Sequence, residues 1–110
     1  MGEGTVLAVA NSYLESYYMN PDFSSLPKSV QDELKIMCVL YVNDVGGILI
    51  LRFDEEGNLF FDVDSKEFDP MFDEIGSGLL MRKVQREKEE LLESLELFYK
   101  TFFLGDESTF

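Results

Sequence analysis

From Thr5 to Met19 apolar residues recur at Val6, Val9 and Ala10, Tyr13 and Leu14, and Tyr17. Steps of three and four gather them on one side of a helix, so the spacing predicts an amphipathic helix here. Asn20-Pro21-Asp22 ends it, because a residue before proline is pushed out of helical angles. Pro27 suits a first helical turn, and Asp32 and Glu33 follow near the positive end of the dipole, which predicts a second helix. Residues 36–42 are apolar on every side, a pattern shared by buried helices and buried strands. With Asn43 and Gly46-Gly47 as a C-terminal stop, the second helix is expected to run to about Asn43.

Ile48 to Phe53 is rich in strand formers, and Asp54-Glu55-Glu56-Gly57-Asn58 is a turn sequence. Leu59 to Asp64 returns with partial alternation, so a β-hairpin is predicted. It becomes a three-stranded meander if residues 37–43 form a strand. Beyond the acidic connection 65–73, Asp73 or Ser77 caps a final helix running to about Leu104. Met81, Val84, Lys88, Leu91, Leu95, Phe98 and Phe102 follow steps of three and four along it, six of the seven apolar. Such a stripe demands a partner. The expected fold is therefore α+β in the order helix, helix, hairpin, long amphipathic helix, with the last packing across the others. Residues 1–104 form one domain, and 105–110 a frayed tail.

The chain has 110 residues, and 45% are hydrophobic, enough for one packed domain and too many for a disordered chain. Nine Lys and Arg stand against 22 Asp and Glu, a net charge of −13. That balance argues against nucleic acid and anionic membrane as partners, since both are bound by neutralising phosphate. There is no His, which removes the Ser-His-Asp and Cys-His devices and the usual zinc ligands. Cys38 lies inside the apolar run and reads as a small core hydrophobe, with no second thiol for a disulfide. The first basic residue is Lys28, and no apolar run reaches the length of a signal core or a membrane span. A soluble, cytoplasmic protein without cofactor is expected.

Three clusters carry candidate chemistry. Residues 54–74 hold nine acids, among them Asp62, Asp64 and Glu74, against the single base Lys66. Hard cations favour oxygen clusters, yet Lys66 and Glu67 stand where an EF-hand loop wants Asp or Asn and then Gly. Asp62-Val63-Asp64 also resembles the Asp-x-Asp of magnesium phosphotransferases, whose doubly wound sheet a chain of this pattern lacks. Gly76-Ser77-Gly78 precedes a helix as a phosphate cradle does, but Asp73 and Glu74 flank it and the lysine is missing. The basic island Arg82, Lys83, Arg86 and Lys88 suits local pairs with Glu87, Glu89 and Glu90, or docking onto an acidic surface of a second subunit. In the docking case, removing the charges of Arg82 and Arg86 weakens association at low salt.

Asp32 to Leu40, Asp44-Val45-Gly46-Gly47, Asp73 to Gly78 and Phe102-Phe103-Leu104-Gly105 resemble a family of small acidic proteins from Clostridia-like bacteria. The resemblance spans nearly the whole chain. It implies a bacterial cytoplasmic origin and one domain, and carries over no catalytic or binding residue.

These features are those of a non-catalytic interaction protein, expected to be a homodimer because its apolar faces exceed what one layer covers. Arg82, Arg86, Leu91, Leu95, Phe98 and Phe102 are the candidate contact residues. Two alternatives come from other classes. One is a small acidic secretion-chaperone-like binder of an extended client. The other is a metal-assisted carboxylate enzyme using Asp62, Asp64 or Glu74.

Overall fold

The computed structural model describes residues 4–66, 69–70 and 72–105. The expected frayed tail falls mostly on residues 106–110, outside the described residues. The described chain folds as strands β1 (Thr5–Asn11) and β2 (Ser16–Met19), helix α1 (Lys28–Val45), strands β3 (Ile48–Phe53) and β4 (Leu59–Asp64), and helices α2 (Glu74–Glu87) and α3 (Glu89–Phe102). One antiparallel sheet has the order β2-β1-β3-β4. No helix among the described residues is long and apolar enough to cross a membrane.

The order of elements corrects the sequence reading at its start. Residues 5–19 form a β-hairpin where a helix was expected. Two features explain the mimicry. A bulge between Val6 and Ala8 shifts the register against β3, so the period-two alternation is broken. Tyr13 and Leu14 belong to a turn, where the Asn11 side-chain oxygen accepts their two backbone N–H groups and Glu15 takes φ 51°.

The second helix and the hairpin stand as expected. Residues 37–43 are helical, which rules out the three-stranded meander. Helix α1 ends at Gly46 and Gly47, at φ 81° and 80°, and a Cβ on Gly47 would lie 2.6 Å from the Asp64 carbonyl oxygen. The hairpin turn is held by the Asp54 carboxylate, which accepts from the N–H groups of Glu56 and Asn58.

The long final helix is a second correction, because it breaks at Lys88 (φ −108°, ψ 24°) into α2 and α3. An uninterrupted helix from 74 to 102 would run about 44 Å. The break lets α2 lie along α1 while α3 lies against β4 and the sheet. Asp73 caps α2, its carboxylate accepting from the Gly76 N–H.

The core lies between the helices and one face of the sheet. Leu49, Leu51 and Phe53 of β3 meet Leu34, Cys38 and Tyr41 of α1 and Leu95 and Tyr99 of α3. At one end Phe23, from the short turn after Pro21, joins an aromatic stack in which Phe53 and Tyr99 lie 4.2 Å apart at 6°. Thr5 and Tyr99 hydroxyls share a hydrogen bond of 2.9 Å, tying the first strand to the last helix.

Candidate functional site

The strand registers place a second set of apolar residues on the face of the sheet turned away from the helices. One row across it reads Tyr18, Val9, Ile50, Asp62, and the next reads Val6, Arg52, Phe60. Ile48 continues it towards Asp64. Tyr18 is 51% exposed and Phe60 48%, and Val6, Val9, Ile48, Ile50 and Phe60 stand outside the hydrophobic core. Among the described residues this face carries no helix. Arg52 and Asp62 form an ion pair across β3 and β4, and Asp64 adds a carboxylate at the rim of the face.

The two sheet edges differ. The Asn20 N–H donates to the Leu7 carbonyl. Hydrogen-bonded pairs alternate along an antiparallel ladder, so the N–H and C=O groups of Tyr17 and Met19 point to the free edge of β2. On β4 the same count turns Leu59, Phe61 and Val63 outward. There the Leu59 N–H donates to the Glu96 carboxylate of α3 at 2.7 Å, which closes that end of the edge.

Beside β2 lies a cleft of about 690 Å³ between the hairpin and the stretch of α1 from Lys35 to its end. Glu15, Ser16 and Tyr17 form one wall, and Lys35, Val39, Val42 and Asp44 stand on the other. The Lys35 ammonium lies 5.9 Å from the centre of the Tyr17 ring. The Tyr17 hydroxyl is buried, without a hydrogen-bond partner among the described residues, and that burial raises its pKa.

The acids of 54–74 do other work. Asp54 holds its turn, and backbone N–H donors, Asn58 first, keep its carboxyl below the ordinary range. Asp69 accepts from the Tyr13 hydroxyl, and Tyr13 in turn accepts from the Lys66 N–H at 3.0 Å. The hydrogen bond to Asp69 leads the causes that raise the Tyr13 pKa. Asp62 and Asp64 share the open face, while Glu74 is exposed at the start of α2. Glu67 lies outside the described residues. Among the described residues no three Asp, Glu or Cys side chains are grouped to hold a metal ion.

The predicted contact residues do not form one surface. Leu91 and Leu95 are buried in the core and Phe98 packs against it. Phe102 is 71% exposed at the far end of α3. Arg82 and Arg86 are exposed on α2, and Lys88 reaches Glu33 of α1 at 3.4 Å. Cys38 is wholly buried, and burial pushes its thiol up to about 12. Sequence reasoning missed the open face because it depends on the β1–β2 hairpin. Val6 and Val9, β-branched residues ahead of an Asn-Ser turn, were the available signal.

Residues 4–107, including both sheet halves and all three helices, match a family described only as being of unknown function. The chain belongs to DUF6145. Comparison of this DUF6145 chain with curated proteins and with solved structures finds no match.

Proposed function

We propose that this chain is a non-catalytic interaction module that pairs with a second copy of itself through the open face of its sheet. The observation that carries the reading is the apolar row set Val6, Val9, Tyr18, Ile48, Ile50 and Phe60, left without cover by the helices among the described residues. Contiguous apolar surface of this kind marks interaction sites. A face of four strands and about six residues measures roughly 19 by 20 Å. Two copies then cover about 800 Å² of footprint, which side-chain relief raises towards the ~1,200 Å² lower bound of specific interfaces. Charge favours a like partner at this place. A second copy brings the same −13 and is repelled elsewhere, whereas here Arg52 and Asp62 neutralise each other. Sheets stacked face to face sit about 10 Å apart, so the Phe60 and Tyr18 rings interdigitate.

Light scattering over a concentration series tests this directly. The expected mass rises from one chain towards two in the micromolar range. Phe60→Glu places an unpaired charge in the contact and holds the mass at one chain, with an unchanged far-ultraviolet spectrum. A wild-type chain that stays single at about 100 μM, well above the micromolar affinities of weak complexes, rejects the reading.

A further inference from the structure

The cleft beside β2 is separate from the open face, because Tyr17 points to the helix side of the sheet and Tyr18 to the other. Three independent features describe what fits there.

The first is hydrogen bonding. The N–H and C=O of Tyr17 lie at the free edge of β2, a main-chain donor and acceptor spaced for an added strand. The second is charge. Glu15 stands beside the end of α1, and the carbonyl end of that helix adds partial negative charge, so an ammonium is favoured at this side. Lys35 supplies the opposite sign two and a half turns earlier on α1. The third is size and lining. About 690 Å³ lies inside the ~300–1,000 Å³ range of ligand sites, and Tyr17, Val39 and Val42 give it an apolar middle.

The geometry points to a binding site for a short free peptide, held extended along β2 with its N-terminal ammonium at Glu15 and the carbonyl end of α1 and its C-terminal carboxylate at Lys35. Nine residues of helix separate Lys35 from Asp44, about 13.5 Å. An extended chain advances about 3.3 Å per residue, so three or four residues span the two ends. The main chain of the peptide pairs with Tyr17, and its side chains lie on Val39 and Val42. Other small ligands satisfy fewer of these features. A polyamine meets Glu15 but brings its second charge against Lys35. A fatty acid meets Lys35 and leaves Glu15 and the carbonyl end of α1 facing hydrocarbon.

The test is a nuclear magnetic resonance titration of the full chain with the tetrapeptide Ala-Val-Leu-Ala in four forms: free-ended, N-acetylated, C-amidated and blocked at both ends. The expected result is saturable shifts at residues 11–17 and 35–46. Blocking either end weakens binding by about tenfold or more, the loss of one charge-assisted contact. Lys35→Gln removes the preference for a free carboxylate alone. Glu15→Gln weakens the preference for a free ammonium alone, and Asp44→Asn leaves it unchanged. Phe60→Glu leaves all four affinities unchanged, which separates this site from the dimer face. Equal binding of the free and doubly blocked forms, shifts centred elsewhere, or no shifts with any form overturns the assignment.

Discussion

Neighbouring residues of β3 meet opposite surroundings. Leu49, Leu51 and Phe53 are at most 1% exposed, sealed under α1 and α3, while Ile48, Ile50 and Arg52 between them stay half-buried on the bare side. The covered row is wholly apolar, and the bare row carries two Ile beside the ion-paired Arg52. Antiparallel sheets with one solvated face normally alternate apolar and polar, and here that alternation is weak because the outer row also carries Ile and its neighbours Val and Phe. Greasiness alone does not decide which row becomes core. Cover decides it, and the helices of this chain are enough for one side only.

The largest effect separates those two rows. Leu51→Ala is expected to cost about 2–5 kcal/mol in urea unfolding, the range for a deleted core side chain with its cavity. Ile50→Ala, at a half-buried position, is expected to cost the single chain about 1–2 kcal/mol, less than Leu51→Ala, while lowering self-association. Equal losses of stability in dilute solution would mean that something covers the outer row within one chain.

A second test uses the Cys38 thiol as a probe of how dry the covered side is. Its folded pKa is pushed from 9.0 up to about 12, so between those values the folded state holds a proton that the unfolded state has lost. Stability is therefore intact below pH 9 and falls as pH rises towards 12, by at most about 1.4 kcal/mol per pH unit from this group. Cys38→Ala should flatten that part of the alkaline unfolding curve. An identical curve in the variant would show that the thiol is not sealed.

The smallest effect concerns α2, which lies on the helix side and away from the proposed contact. Arg82→Gln with Arg86→Gln should leave the native mass at low salt unchanged if copies meet through the sheet. A weakened dimer would move the contact to the basic island.

Parts of this fold are legible along the chain. The β3–β4 hairpin announces itself through apolar runs on both sides of the turn Asp54 to Asn58, and α1 through Pro27 and the Gly46-Gly47 stop. The first hairpin was hidden because both its faces are apolar and its bulge imitates helical spacing. Along residues 81–102 the stripe was read correctly as needing a partner. Within the chain α2 packs along α1 and α3 against the sheet, and Leu91 and Leu95 lie in the core. The one charged position of the stripe, Lys88, marks the break.

The candidate site was less legible. Phe60, Tyr18 and Val9 come together only because β4 and β2 flank β3 and β1. The walls of the cleft come from residues 11–17 and 35–46, and nothing in their local spacing brings Tyr17 beside Lys35.

By itself the amino-acid sequence determined the strong negative charge, the absence of imidazole, the isolated thiol and the helix and hairpin through the middle of the chain. These depend on composition or on neighbours within a turn or two. Only the tertiary structure decided that the chain opens with strands, that its last helix bends, and which apolar row stays bare. Periodicity reports that a side is apolar, whereas its cover comes from residues far away in the chain, and the energy of that meeting is recorded in no single segment.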